Sequence, residues 1–271
     1  MRAAFDRISA AGVPLSRTRL GRPILGVKTG CNDAFLVAAG PSEGELTAIH
    51  SAERSGDIER SCLRPLIRGE SIVAWHSSTT DSRIIWTHGD DGEPVRHLPP
   101  RTRKWLGNWR SRLERRSDAS GKARWWMLFR TDSASAHLPR VAWADIGKVP
   151  RAVAIAAGDP VVPLNTCYVV RCRDIIEAHT LATLLNSPLI AAWLNTIAEP
   201  ARGNYSRYLG WTMSLLPTPL DWERARHILG PIGRSAAAGR HPPGHELVSA
   251  TLDAFQIPHA DIEALMTWAA L

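Results

Sequence analysis

The stretch ILGVKTGCNDAFLVAAG, residues 24–40, decides the predicted fold because it places two apolar runs on either side of a polar turn. Residues 22–28 and 34–39 are short and apolar, which is typical of strands. Gly30 and Asn32 tolerate left-handed backbone geometry, so they are predicted to shape the turn between the strands. We therefore expect a hairpin whose tip presents the Lys28 ammonium and the Thr29 hydroxyl.

Outward from this stretch, strands and helices alternate irregularly along the chain. Residues 140–146 and 166–172 are rich in β-branched and aromatic residues and predict strands. Residues 174–199 predict two helices divided at Ser187-Pro188, since serine caps helices and proline suits their first position. The fold class is therefore α+β, a mixed β-sheet with packed helices and a small helical C-terminal tail. The predicted units are a domain at 1–232, a flexible linker at 233–244 and the tail at 245–271.

Length and composition limit the classes of protein to which this chain can belong. The 271 residues are 44% hydrophobic, which fits a globular chain of one large or two modest domains. No apolar run is long enough for a membrane span, and the N-terminus lacks the apolar core of a signal peptide, so we expect a cytoplasmic protein without a membrane partner. The four cysteines form no C-x-x-C pair and are predicted to be reduced, buried thiols.

Positive charge is concentrated in one segment. The net charge is +7, and 29 of the 33 basic residues are arginine. Residues 101–130, called the basic segment below, contain ten basic and two acidic residues, a local excess of eight positive charges. Like charges at this density repel one another unless a polyanion neutralises them. Arginine also grips phosphates and guanine edges with two hydrogen bonds, so the segment favours a nucleic-acid partner.

The first half of the basic segment has the spacing of a helix over residues 102–116. Trp105, Trp109 and Leu113 recur every four residues and predict one buried stripe, with Thr102 as a candidate N-cap. Two interpretations stay open at this point. The helix is either a solvated amphipathic helix with its tryptophans in the core, or an anchored helix whose arginines face phosphates.

The residue patterns of the common catalytic and metal sites are absent from the sequence. It contains no glycine-rich phosphate loop, no H-E-x-x-H, no G-x-S-x-G and no paired C-x-x-C. The loop HGDDGEP, residues 88–94, is predicted to be a plain turn, not a metal site. We therefore predict no catalytic residue, no metal site and no cofactor in this chain.

Several motifs, in order, resemble those of a known family. They are AAGVPLS, GVKTGCNDAF, LRPLIRGESI, LPPRTRKWLGNWRSRLERR, RWWML, PRVAWADI, NTCYVVRC, LATLLNSPLIAAWL and GNYSRYLGWTMSLLPTP. The series resembles the C-terminal target-recognition domain of TaqI-like, adenine-specific DNA methyltransferases of restriction-modification and phage-defence systems. It covers about residues 5–220, and the turn G-x-x-T-G-x-N-x-A-F with the late L-x-N-S and L-P-x-P elements carries most of it.

The resemblance implies a division of labour between two parts of an enzyme. In that family an N-terminal domain binds S-adenosylmethionine and holds the flipped adenine, and the C-terminal domain reads the DNA. The family's Asn-Pro-Pro-Tyr motif has no counterpart here, so a partner methyltransferase chain is expected to supply the cofactor and the chemistry. The chain is then expected to be a separate specificity chain, one half of a split gene, or a truncated relic.

The predicted partner is double-stranded DNA, and the expected contact residues come from three places. The turn matches the family's turn, residues 204–207 match a polar family segment near the DNA, and the basic segment supplies the rest. The predicted DNA-binding residues are Lys28, Thr29, Gly30, Asn32, Arg101, Arg103, Lys104, Arg110, Arg112, Arg115, Arg116, Lys122, Arg124, Asn204, Tyr205 and Arg207. Cys31 takes an apolar position of the family's turn and is expected to pack inward.

Two functions of other classes remain open from the sequence. The 11 tryptophans and the many arginines also suit a protein interface, so the chain is alternatively a protein-interaction subunit or an inactive remnant without DNA binding. Stacked tryptophans and cations also suit single-stranded RNA, which makes an RNA-binding module the third hypothesis.

Overall fold

A computed structural model describes residues 2–78, 81–119 and 124–259, and these ranges form an α+β fold, as predicted. The helices are α1 (Arg2–Ala10), α2 (Asn32–Phe35), α3 (Pro100–Gly107), α4 (Arg110–Glu114), α5 (Ile175–Asn186), α6 (Pro188–Ile197), α7 (Gly210–Ser214), α8 (Trp222–Ala237) and α9 (Gly244–Phe255). The first strands are β1 (Gly12–Pro14), β2 (Ile24–Leu25), β3 (Leu36–Glu43), β4 (Leu46–His50), β5 (Ser55–Glu59), β6 (Leu63–Ile67), β7 (Ile72–Val73), β8 (His76–Ser77) and β9 (Ser82–Ile85). The later strands are β10 (Arg140–Ala144), β11 (Ile146–Gly147), β12 (Ala152–Ile155), β13 (Val162–Pro163), β14 (Cys167–Arg171), β15 (Glu199–Ala201), β16 (Tyr205–Arg207) and β17 (Pro217–Pro219).

Two sheets hold most of the strands. One has four antiparallel strands in the order β12-β10-β14-β2, and the other has six in the order β13-β6-β9-β3-β4-β5. The six-stranded sheet is mixed, because β13 pairs with β6 in parallel while its other pairs are antiparallel. The remaining strands form three small sheets, β1-β17, β7-β8 and β11-β16-β15.

The four-stranded sheet is buried on both faces. Val141, Trp143 and Val170 point into the large core shared with the helices. Ala142 and Val169, on the opposite face, pack into a smaller core with residues of β6 and β7. Side chains alternate between the faces of a strand, so a sheet covered on both sides needs apolar residues at consecutive positions. This explains the unbroken apolar runs that predicted β10 and β14.

The opening stretch joins the two large sheets and is not a hairpin, which corrects the prediction. β2 pairs with β14 of the four-stranded sheet, whereas β3 pairs with β4 and β9 of the six-stranded sheet. Between them, Val27 bridges Leu164 and Lys28 bridges Phe129. The two apolar runs are strands, but the polar residues between them carry the chain from one sheet to the next.

The local reason is the short helix α2, which replaces the expected two-strand turn. Gly30 has a left-handed φ of 67°, as predicted, and Asn32 is instead the first residue of α2. The Thr29 hydroxyl accepts a hydrogen bond from the Cys31 N–H at 3.1 Å and donates one to Asn32 Oδ1 at 2.6 Å. These bonds turn the chain into a helix, and a helix cannot continue the pairing of a hairpin.

On the helical side, the division at Ser187-Pro188 is confirmed by α5 and α6. The predicted linker at 233–244 starts too early, because α8 continues to Ala237. Gly233, the first residue of the predicted linker, led to this error because glycine is common in flexible linkers. A Cβ there would lie 2.4 Å from Thr183 Oγ1, so the glycine permits close packing of α8 on α5. Of the C-terminal tail, α9 packs into the large core through Leu252 and its neighbours, and residues 260–271 lie outside the described residues.

The basic segment forms two helices in place of the single helix predicted at 102–116. The N–H groups of Asn108 and Trp109 bond to carbonyls three residues back, at 3.1 and 3.0 Å, and this tighter turn ends α3 before α4 begins. The predicted stripe is nevertheless buried, with Trp105, Trp109 and Leu113 only 5%, 7% and 0% exposed. Residues 124–129 form turns and bridge to Lys28 through Phe129.

All four cysteines are buried and free, as predicted. No single helix in the described ranges has the length and hydrophobicity to cross a membrane, and the bent pair α5–α6 passes that test by length and composition only.

Candidate nucleic-acid interface

The fold brings the turn and the residues just after α4 together through Arg116. Its guanidinium donates hydrogen bonds to the carbonyl oxygens of Thr29, Trp125 and Leu113. It also lies 4.9 Å from the centre of the Phe129 ring. The side chain is 8% exposed, and burial lowers the pKa of Arg116. Arg116, predicted to contact DNA, is instead occupied by protein carbonyls, so we assign it a structural role.

Thr29 is also placed differently from its prediction. It is 3% exposed, and its hydroxyl is used within the turn, so it is not presented at the tip. Gly30 is exposed and lies against the Arg116 side chain, since a Cβ there would come within 2.7 Å of Arg116 Cδ. Cys31 packs inward, as expected, at 3% exposure.

A polar cleft of about 380 Å³ opens at this junction. We call it the turn cleft; it is lined by Lys28, Thr29, Gly30, Cys31, Asn32, Asp33, Arg112 and Asn165. Arg112 Nη1 lies 2.7 Å from Asp33 Oδ2, and Lys28 Nζ lies 2.5 Å from Asp118 Oδ2. These hydrogen bonds raise the pKa of Arg112 and lower the pKa of Asp118. Each cation of the turn cleft is thus held in place by a carboxylate.

Helix α3 presents its cations differently. Its N-terminus is capped by Glu59 of β5, which accepts bonds from the N–H groups of Arg101 and Thr102, both at 2.9 Å, and from the Thr102 hydroxyl at 2.7 Å. The prediction of Thr102 as N-cap is therefore wrong, since Thr102 is a buried donor to Glu59. Arg103 and Lys104 are exposed and, within the described ranges, their side chains have neither a hydrogen bond nor an ion pair.

The other predicted cations of the basic segment each have a different environment. Arg101 lies 3.3 Å from Asp57, and Arg110 lies 2.8 Å from Glu114 and 5.6 Å from the Trp125 ring. Arg115 donates to the Ser111 carbonyl oxygen at 3.1 Å, and Arg124 donates to that of Pro94. Lys122 lies outside the described residues.

The predicted contacts at 204–207 lie on a separate hairpin, formed by β15 and β16 beside β11. Gly203 and Asn204 at its tip both have left-handed φ angles, 69° and 62°. Tyr205 is 41% exposed, with the Lys148 ammonium 5.9 Å from its ring. Among the described residues, no hydrogen bond or ion pair joins this hairpin, including Arg207, to the basic segment.

Asp33, Glu59 and Asn165 belong to the site and were not predicted from the sequence. Asp33 and Asn165 stood inside two of the quoted motifs, GVKTGCNDAF and NTCYVVRC, so a signal was present for both. Asn165 reaches the turn because its N–H donates to the Val27 carbonyl oxygen at 3.0 Å. Glu59 had no sequence signal. The described residues contain no group of three or more His, Cys, Asp or Glu side chains that could hold a metal ion.

A search of solved structures finds a fold like this one. The structure of the type IIL restriction-modification enzyme MmeI in complex with DNA matches 93% of this chain with a TM-score of 0.52 and 12% sequence identity. The chain spans 33% of the length of that enzyme. At this identity the match shows a shared fold alone. No protein-family profile matches the sequence, and no curated protein does.

Proposed function

We propose that this chain recognises a specific sequence in double-stranded DNA as the specificity part of a restriction-modification or phage-defence methyltransferase. The observation that carries the proposal is that the basic segment contributes to two different surfaces. One is formed by Arg103 and Lys104 of α3, whose side chains have no partner among the described residues, and the other is the polar turn cleft, which Arg112 of α4 helps to line. Their occurrence in a fold shared with part of a DNA-bound restriction-modification enzyme supports it. In this proposal Arg103 and Lys104 bind phosphates, which positions the duplex without reading its sequence.

The finer proposal follows the TaqI-like resemblance and concerns the rest of the enzyme. The modified base is adenine, and a partner methyltransferase chain supplies S-adenosylmethionine and takes the adenine out of the duplex. This chain then contributes only recognition. An upstream reading frame encoding a methyltransferase domain, and adenine methylation only when the two chains are mixed, are the results we expect. Adenine methylation by the upstream chain alone, at unchanged sites, would contradict this division of labour.

The direct test of DNA recognition is duplex binding across a salt series. Arg103→Ala/Lys104→Ala is expected to weaken binding to all duplexes roughly tenfold and to reduce the slope of log affinity against log salt by about 1.8, since each phosphate contact contributes about 0.9. The control variant Arg17→Ala/Arg240→Ala removes two exposed arginines outside the basic segment. It is expected to leave the slope nearly unchanged. Duplex affinity that does not fall with salt would overturn the proposal.

A second candidate, a protein-interaction module, is favoured by one exposed apolar face. Trp211 and Leu215 lie four residues apart across α7 and its C-cap, and they are 50% and 46% exposed. Exposed apolar patches mark interaction sites, and tryptophan is enriched among the residues that contribute most to protein–protein binding. Co-purification of a protein partner that is lost in Trp211→Ala, without any duplex affinity, would favour this candidate. Competition with single-stranded RNA separates the RNA-binding hypothesis, which requires the RNA to displace duplex DNA.

A further inference from the structure

The turn cleft has a different chemistry from the surface of α3. Arg112 offers only hydrogen-bond donors, Asp33 offers only acceptors, and the Asn165 side-chain amide offers both. The Asn165 side chain is exposed and has no hydrogen-bond partner among the described residues. A ligand that fits this lining must itself present both donors and acceptors within a small area.

A phosphate group does not meet that requirement. Its oxygens carry negative charge and only accept hydrogen bonds, so Lys28 and Arg112 attract them, but the Asp33 carboxylate beside Arg112 repels them and receives no donor from them. Base edges in the major groove do meet it, because guanine presents the N7 and O6 acceptors while adenine and cytosine present amino donors. Arg103 and Lys104 of α3 differ from Arg112 in this respect, because no carboxylate pairs with either side chain among the described residues.

Arg112 is also oriented by its contact with Asp33. Asp33 lies in the first turn of α2, whose entry is fixed by the hydrogen bonds of Thr29 and by the left-handed Gly30. One guanidinium nitrogen of Arg112 is held by Asp33 at 2.7 Å, while 57% of the side chain remains exposed. A guanidinium oriented by a carboxylate keeps its other N–H groups aligned, and less freedom is lost when they bind.

We propose that the turn cleft reads base edges in the major groove of the duplex, with Arg112 donating to O6 and N7 of a guanine. Asn165 is the second reader, at an adjacent base pair. This inference rests on the proposed function and deepens it, because it separates the residues that read sequence from those that only bind phosphate.

The test is to select preferred duplexes from a random library with the full chain, and then to measure single-base discrimination by variants. Arg112→Lys keeps the positive charge but loses the planar fork. It is expected to reduce discrimination for guanine at one position by about tenfold or more, a typical contribution of one bidentate contact, while the salt slope stays within error. Asn165→Ala is expected to relax a neighbouring position by a smaller factor.

The matched control is Arg110→Lys. Arg110 is exposed, lies on the same helix and is also paired with an acid, but it does not line the turn cleft. Its variant is expected to keep the discrimination of the unmodified chain. Melting temperatures of all three variants within about 2 °C of the parent exclude misfolding as the cause.

Each other outcome has a defined meaning. If the parent binds no duplex, the proposed function itself fails. If the parent prefers a sequence but Arg112→Lys weakens all duplexes equally, DNA recognition stands and the assignment of Arg112 as a base reader is overturned. The inference is also overturned if the discrimination persists on the single strand of the same sequence, because the base would then be read unpaired.

Discussion

The helix predicted at 102–116 consists of two halves, α3 and the residues from α4 to Arg116, and the cations of the two halves are held differently. On α3, Arg103 and Lys104 have no side-chain partner among the described residues, so their charge faces solvent. From α4 onward, Arg112 is held by Asp33 and Arg116 is buried against carbonyls. An excess of charge in the sequence is therefore not the same as charge available to a ligand, because the fold brings acids and carbonyl oxygens from distant residues against some of the cations.

The largest expected effect comes from removing the buried member of the second half. Arg116→Ala leaves the carbonyl oxygens of Thr29, Trp125 and Leu113 without donors, and it opens a space beneath Gly30. We expect it to lower the free energy of unfolding by about 3 kcal/mol or more, measured by urea denaturation.

Arg115→Ala is the matched control for this experiment. Arg115 is the neighbouring residue, is exposed and makes one local bond to Ser111. We expect its loss to change the free energy of unfolding by less than about 0.5 kcal/mol. If the two variants were equally stable, Arg116 would not be the structural link between the turn and α4. The region from α4 onward would then hold no cation with a structural role of this kind.

The sequence predicted the parts of this region that depend on local spacing. The stripe of Trp105, Trp109 and Leu113 follows from helical periodicity, and it is buried as expected. The left-handed Gly30 follows equally from local chemistry. Such features depend on only a few neighbouring residues, so they can be predicted from the sequence alone.

Some cations are paired or buried and others are exposed, and the contacts that cause this difference involve residues distant in sequence. These contacts could not be predicted from the sequence. Arg112 and Asp33 are 79 positions apart, and Thr102 and Glu59 are 43 apart. The turn was predicted as a hairpin because its two apolar runs look alike, whereas their pairing partners lie in different sheets. Which strands pair with one another depends on how the two sheets pack together. A single sequence does not contain that information in any local pattern.

The next effect in size concerns the attachment of α3, the helix that carries Arg103 and Lys104. Burial pushes the pKa of Glu59 upward, but the hydrogen bonds from Thr102 and from the N–H groups of α3 outweigh it and place the pKa below its usual value. Because the folded pKa is the lower one, this stabilisation is present above the unfolded pKa of about 4.3 and is lost as the pH falls through the folded value.

We therefore expect Glu59→Ala to cost about 1 kcal/mol of unfolding free energy at pH 7, a typical value for a lost helix cap. The difference between this variant and the parent is expected to shrink as the pH falls below about 4. Urea denaturation at pH 7 and at pH 3 measures it. A difference that is the same at both values would show that the Glu59 carboxylate does not cap α3 through its charge. The exposed Glu93→Ala, outside any helix, serves as the control.

The smallest effect tests whether all acid-paired cations of the second half are alike. Arg110 and Glu114 form an exposed pair one helical turn apart, and such pairs contribute about 0.3–0.5 kcal/mol. Arg110→Ala is therefore expected to be nearly as stable as the parent. A double-mutant cycle with Glu114→Ala measures the coupling, which is expected to fall further at high salt because both groups face solvent. A coupling above about 1 kcal/mol would mean that the Arg110–Glu114 pair is stronger than an exposed ion pair is expected to be. A strong pairing with an acid would then not by itself distinguish Arg112 beside the turn from Arg110 at the surface.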